Sequence, residues 1–369
     1  MAEHKGALPS QTIRELIGKG HILSAREEHV QPASLDLTLS HEVYRVDGLF
    51  LPRASETVRD VLERVHPIAV PPESVLEVGV PYLARLNEKL NLPADLYAYV
   101  NPKSSTGRTD VKISLIADGI SRFDSVGKAG YIGELWIFIE PKSFRVRLPK
   151  DEALVQIRFF NADTRLSEAA LKDLYEKEKI LYSKEGSPIH FDALKISDRD
   201  GGLVLTVDLK GDMIGFRADG ATSILDFAKR SFYDPADFFM PIAEPKRGAL
   251  FLRKGSFYIF YTREYVRVPV THSCEMVPVD IRNGEFRSHY AGYIDPGWGY
   301  GEDGATLGRP LVLEVRPFDD NILLYHGQPI CKLIFERMAE VPDMVYGQSA
   351  AGSHYFSQTG PVLSKHFKQ

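Results

Sequence analysis

The sequence predicts a mainly β protein made of two tandem domains, and three observations carry that prediction. The chain has 369 residues, beyond the usual single domain of about 100 to 200 residues, so two cores are the default. Short strand-like runs recur along it with Pro, Gly, Asn or Asp between many of them, which suits a barrel or sandwich better than a βαβ sheet. One charged, amphipathic stretch near the middle interrupts the pattern and marks a natural boundary.

In chain order, Ile13, Leu16 and Ile17 lie at helical spacing in the run of residues 11–20, which ends in Gly20 and reads as a short helix with its stop. Strands follow over 34–39, 75–85, 96–100, 131–139 and 154–160. Over 167–181, Ser167 can cap a helix whose Leu171, Leu174 and Tyr175 share one face while charges fill the other. Strand patterns then resume over 203–209, 257–261, 265–270, 311–315 and 330–335. The organisation expected is a first half of residues 1–170, a helical linker over 171–196, and a second half of residues 197–369. The halves also echo each other, each with a pair of strand-like runs leading to a proline, which implies duplication by pattern more than by identity.

Composition narrows the function. The 44% hydrophobic and 26% charged content is that of an ordinary globular protein, not of a disordered or fibrous one. No apolar run approaches the ~18 residues of a membrane span, and the opening MAEHKGALPS lacks a signal-peptide core, so a cytoplasmic protein without a membrane partner is expected. A net charge of −5 gives no field for a nucleic-acid polymer, whereas a small polyanion can still be held by local cations. The two cysteines, Cys274 and Cys331, cannot build a thiolate metal cluster or a disulfide framework.

Most catalytic signatures are missing. Neither a G-x-S-x-G elbow nor a P-loop occurs, and the histidines never form H-x-E, so the zinc-deaminase pattern is absent. Gly299, Gly301 and Gly304 match G-x-G-x-x-G, but they follow a Pro-Gly-Trp turn and open no helix, so they read as a hairpin loop.

Three segments are harder to explain as packing. Asn101 to Arg108, NPKSSTGR, gathers backbone N–H groups, hydroxyls and cations, and is either a phosphate-holding turn or a solvated one. Glu314, flanked by Leu313 and Val315, is either on the wet face of a strand or a desolvated acid/base group with a raised pKa. The tail over 353–365 is either a disordered end or a lid that orders over ligand.

Taken in order, these segments resemble the dCTP deaminase and dUTPase family. QPASLDLTL (31–39) resembles its opening strand, and KSSTGR its R-S-S-x-G-R phosphate turn with Lys103 in place of arginine. AGYIDPGWG resembles its sugar-binding motif, LVLEV places Glu314 at the deaminase branch's catalytic glutamate, and HYFSQTGPV resembles its closing tail with His354 in place of lysine. The first half shows an aspartate, Asp124, in SRFD, yet Phe138 falls near where its glutamate should be. The second half shows no serine turn around 273–279.

The resemblance implies two tandem dUTPase-like distorted β-barrel or jelly-roll domains with short helices, and a composite site joining the halves. It implies zinc-independent deamination of dCTP to dUTP and ammonia, which supplies dUTP for dTTP synthesis. Glu314 would move protons, Ser104 and the Ala291 carbonyl would orient water or the amino group, and Arg108 would balance charge. Asp295 would hold the deoxyribose 3′-hydroxyl, and Lys103, Ser105, Gly107, Tyr355 and Gln358 would surround the triphosphate with its Mg2+. A homo-oligomer is implied, the trimer being the family's usual form. The alternatives are dUTP diphosphatase activity, alone or added to deamination, and a nucleotide sensor without turnover.

Overall fold

The computed structural model describes residues 4–127, 130–198, 200–279, 292–301, 304–347, 355 and 358–368, and the backbone of 286–287. The chain is mainly β, with four α-helices among the described residues. Helix Ser10–Gly18 buries Ile13 and Leu16, as the helical spacing predicts. In the first half, one sheet runs in the order Tyr97–Pro102, Ala153–Phe160, Leu35–Arg45, Tyr82–Asn91, Ile132–Pro141, Val111–Ala117 and curls into a nearly closed barrel. In the second half the corresponding strands form two sheets. One carries Leu203–Thr206, Pro329–Arg337, His272–Pro278 and Tyr293–Ile294, and the other Gly215–Ala218, Tyr258–Val266 and Arg309–Pro317.

The duplication is visible in hydrogen bonds. Thr38 donates its N–H and Oγ1 to Glu88 at 2.9 and 2.7 Å, and Thr206 does the same to Glu264 at 2.8 and 2.6 Å. Burial pushes the pKa of both glutamates up. The hydroxyl of Tyr82 accepts from Glu77 N–H, and that of Tyr258 from Arg253 N–H. These anchors fix the register: Leu83 lies opposite Phe138 in one half and Ile259 opposite Glu314 in the other. Phe138 therefore occupies the place of Glu314.

Three expectations are corrected. The segment 171–196 is not a helical linker: the helix spans Glu168–Glu178 and stops at Lys179, which is left-handed at φ 51. Its Leu171, Leu174 and Tyr175 bury in the second core, and Leu181–Tyr182 pairs with Val266 and Tyr265, because an amphipathic face must be covered. The run 75–85 is broken where Gly79 turns at φ 75, leaving Val75–Leu76 on a small separate sheet. The runs 257–261 and 265–270 join as one strand, Tyr258–Val266, whose register shifts between Tyr261 and Tyr265. Thr262 patches that bulge, since its Oγ1 accepts from Leu311 N–H at 2.9 Å.

The halves are also interlocked. Leu225–Asp226 of the second half pairs in parallel with Val146–Arg147 of the first. Leu225, Phe227, Phe238, Phe239 and Phe367 bury in the first half's core.

Candidate active site

Strand Tyr97–Pro102 ends where proline removes the next ladder donor, and Lys103 stays extended. A single helical turn, Ser104–Gly107, follows, closed by Gly107 N–H to Lys103 O at 3.0 Å and Arg108 N–H to Ser104 O at 3.1 Å. The turn presents Ser104, Ser105 and Arg108 to a cavity of about 370 Å³ that also receives Met276, Asp295, Trp298, Val312 and Glu314 from the second half. Small-molecule sites commonly begin at about this size.

Glu314 sits on strand Arg309–Pro317, where Leu311, Leu313 and Val315 face the second core. Alternation turns Glu314 toward the first half, and it is 2% exposed. The wet-face reading fails. A Cβ built on Gly107 would lie 2.4 Å from Glu314 Oε2, so only glycine lets the carboxylate rest on the backbone of the serine turn. Two residues on, Arg316 reaches Asp110 of the first half through Nη2 and, at 3.2 Å, through Nε. Asp110 is wholly buried, and this cross-half pair pins the strand of Glu314 against the turn.

Arg108 is buried too, and burial pulls its pKa below the ordinary arginine value, with Tyr355 and Glu314 pulling it back. Its guanidinium lies 3.7 Å from the Tyr355 ring centroid. It donates to Gln358 Oε1 and to Val362 O, each at 3.0 Å. Gln358 donates in turn to Pro310 O at 2.7 Å. Tyr355, Gln358 and Val362 thus gather around the Arg108 guanidinium. Lys103 is ion-paired with Asp36 of the opening strand. Ala291 and His354 lie outside the described residues.

Asp295 follows Tyr293–Ile294, and burial, with the charge of Asp36 second, pushes its pKa up to about 7. Ser125 bridges Tyr99 as Tyr293 pairs with Glu275, so the first-half counterpart of Asp295 is Gly127. Asp124 is therefore no equivalent of Asp295: it accepts from Leu115 N–H at 2.8 Å and shapes a turn. Buried atoms without a hydrogen-bond partner among the described residues collect around the cavity: His29 Nδ1, Asp36 Oδ1, Arg108 Nε, Asp295 Oδ1 and Trp298 Nε1. Such groups are costly unless a ligand or water completes them. Sequence reasoning missed His29, Asp36, Gln156 and Lys365 in the lining. Of these, Asp36 had a signal inside the quoted opening strand and Lys365 at the end of the tail over 353–365.

No three His, Cys, Asp or Glu side chains converge as metal ligands among the described residues. Cys274 and Cys331 are buried in the second core.

Fold and site together define a β-barrel protein with a small-molecule cavity built between two duplicated halves around a buried carboxylate and a buried guanidinium. Profiles for the N-terminal and C-terminal domains of 2′-deoxycytidine 5′-triphosphate deaminase match residues 4–163 and 167–367. The chain belongs to the 2′-deoxycytidine 5′-triphosphate deaminase family. It is similar to a crystal structure of 2′-deoxycytidine 5′-triphosphate deaminase from Agrobacterium tumefaciens, with TM-score 0.84 and 37% identity over 94% of this chain and 99% of that one. It is 30% identical over 135 residues to the Methanobrevibacter smithii "dCTP deaminase, dUMP-forming", covering 36% of this chain and 65% of that protein. The protein of that name from Rhodococcus erythropolis is 29% identical over 158 residues, 41% of this chain and 79% of the relative. The match thus spans just under two thirds of the Methanobrevibacter protein, and 55% of the Methanosphaera stadtmanae one.

Proposed function

We propose that this chain is a hydrolase that deaminates dCTP to dUTP and ammonia without zinc, in the cavity between its halves. The observation that carries the reading is Glu314, a buried carboxylate resting on Gly107 beside Arg108. Glu314 takes a proton from water for attack at C4 of cytosine, then passes protons to N3 and the departing amine. Ser104 and the Ala291 carbonyl orient the water and the amino group, and Arg108 balances charge in the intermediate. Asp295 receives the 3′-hydroxyl. Lys103 and Ser105 hold phosphates, and Tyr355 and Gln358 position Arg108. A Mg2+ entering with the substrate would be held chiefly by the phosphates and would neutralise part of their charge. The reading includes a cytoplasmic homo-oligomer, the trimer being the form that the family resemblance favours, with neither a nucleic-acid polymer nor a membrane as partner.

A second reading, release of dUMP in place of dUTP, is favoured by one observation: the curated relatives from Methanobrevibacter and Rhodococcus are dUMP-forming. Incubating pure protein with dCTP and separating the products decides between them. dUTP with ammonia supports the first reading, and dUMP with pyrophosphate and ammonia the second. Unchanged dCTP overturns both, and adding dUTP then separates a dUTP diphosphatase, which releases dUMP, from a sensor, which changes neither nucleotide. A zinc-selective chelator leaves turnover intact, whereas removing Mg2+ weakens binding.

A further inference from the structure

Besides the contact of Arg316 with Asp110, a second buried cation crosses between the halves, and it lies on the side of Asp295. Arg158 belongs to strand Ala153–Phe160 of the first half and is 1% exposed. All three of its guanidinium nitrogens are engaged. Nε donates to Asn101 Oδ1 at 3.1 Å, Nη2 to Glu275 Oε2 at 2.9 Å, and Nη1 to Glu336 Oε1. Asn101 closes the set by donating from Nδ2 to Glu275 Oε1 at 2.8 Å. The guanidinium also lies over the Tyr293 ring, 4.5 Å from its centroid. Burial pulls the pKa of this arginine down, yet the charges of Glu275 and Glu336 carry it above the ordinary value, so it stays a cation.

The partners lead to both parts of the site. Asn101 stands two residues before Lys103, near the end of the strand that runs into the serine turn. Glu275 lies opposite Tyr293 in the ladder, and Tyr293 stands two residues before Asp295. Tyr293 and Asp295 both line the cavity. The Asp295 carboxylate accepts from Ala33 N–H, and its Oδ1 has no partner among the described residues. Ala33 in turn packs in one cluster with Tyr293 and Phe160.

The duplication shows that this grip is not part of the shared strand plan. Arg158 lies opposite Tyr99, and Ile334 lies opposite Glu275, so Ile334 is the second-half counterpart of Arg158 and Tyr99 the first-half counterpart of Glu275. On the side where Gly127 stands in place of Asp295, an isoleucine and a tyrosine thus occupy the places of the ion pair. Apolar side chains of similar volume often hold two segments together as well as a buried ion network does. What the planar fork adds is direction, because its hydrogen bonds and the stacked ring fix one arrangement.

We propose that Arg158 is a positioning residue, which sets the place of Asp295 relative to the serine turn, and thereby the recognition of the sugar hydroxyl, without touching substrate. The placing of the 3′-hydroxyl at Asp295 comes from the proposed function, on which this assignment rests.

The test is a double-variant cycle on the full chain, read as affinity for dCTP and for 2′,3′-dideoxycytidine triphosphate, with dCTP turnover followed separately. The wild type binds dCTP about ten- to a hundred-fold more tightly than the dideoxy nucleotide, the range for a hydrogen bond to a charged group. Arg158→Lys keeps the charge but cannot span Asn101, Glu275 and Glu336 at once. It weakens dCTP by about five- to fifty-fold and leaves the dideoxy nucleotide within about two-fold. Added to Asp295→Ala, it weakens dCTP by less than about two-fold further, because the hydroxyl contact is already gone. Glu275→Gln, at a side chain 33% exposed, loosens the same grip and gives the same split at about three- to ten-fold should Arg158→Lys fail to fold. Equal losses for the two nucleotides, or losses that add in the double variant, reduce Arg158 to general support of the fold and overturn the proposal. A wild type that does not distinguish the two nucleotides overturns it as well. If the wild type turns over no dCTP yet the cycle holds, the deaminase reading fails and the role of Arg158 stands. If dCTP is turned over and the variants discriminate as the wild type does, the role of Arg158 fails and the deaminase reading stands.

Discussion

The two halves of this chain share a strand plan but differ where it matters for chemistry. At one ladder position the second half places Glu314 opposite Ile259, and the first places Phe138 opposite Leu83. Two residues past the matched ladder positions Tyr293 and Ser125, the second half has Asp295 and the first Gly127. Phe138 packs edge-on to Phe50 at 5.2 Å and to Phe123 at 6.3 Å, in a cluster with Trp136 and Ile116. The space where the first half would keep a carboxylate is thus filled by aromatic core. Conversely the serine turn survives in the first half, over Ser104–Gly107. On the proposed reading each half keeps one part of a site that needs both. The parts meet because Asp110 and Arg316 lock the halves together.

That division can be broken most severely at Glu314. Glu314→Gln keeps nucleotide affinity within a few-fold and lowers kcat by about 10² to 10⁴, as steady-state kinetics with a binding titration would show. Near-normal turnover would remove Glu314 from the mechanism. Next in size is Arg316→Met, which leaves Asp110 buried without its cation and costs about 3 to 5 kcal/mol in denaturant unfolding. A loss below about 1 kcal/mol would mean the cross-half pair does not hold the strand.

Phe138→Leu sharpens the contrast from the other side. It removes ring volume from the first half's cluster and should cost about 1 to 2 kcal/mol. Turnover stays within two-fold, since that position no longer serves a site. The smallest effect concerns Asp295. Its folded pKa of about 7 lies above the ordinary aspartate value near 3.9, so its contribution to stability is full below about pH 4 and is lost as pH rises through 7. Asp295→Asn removes that loss. The variant should match the ligand-free wild type near pH 4.5 and exceed its Tm by about 2 to 4 °C at pH 8. A gap that does not grow with pH would contradict the buried, charge-crowded setting.

Much of the fold was legible because strand alternation and turn residues are local signals. The helix at Ser10–Gly18 and the run Leu154 to Phe160 needed no distant partner to be read. The Glu314 strand showed its limit: alternation says that Glu314 faces away from Leu313 and Val315, not whether water or another domain lies there. The second half of the chain supplies Leu225–Asp226 to a first-half sheet, and no periodicity encodes so short a parallel pairing. The ion pairs of Lys103 with Asp36 and Arg316 with Asp110, and the placing of Lys365 beside Glu152, join residues far apart in sequence. Their charges look like surface charges until the fold buries them. Gly107 likewise read as part of a phosphate-holding or solvated turn, and nothing local showed that the Glu314 carboxylate occupies the space of its missing side chain.

Ser104 and Glu314 line the same cavity within a single polypeptide, so on the proposed reading one chain supplies both parts of its own site. This is tested by unfolding and refolding two inactive full-length variants together, Ser104→Ala and Glu314→Gln, so that chains mix in any assembly they form. The mixture is expected to deaminate dCTP no faster than the two variants refolded separately. Recovery of a substantial fraction of wild-type activity in the mixture, absent from either variant alone, would show that the site forms between chains and would contradict the single-chain site.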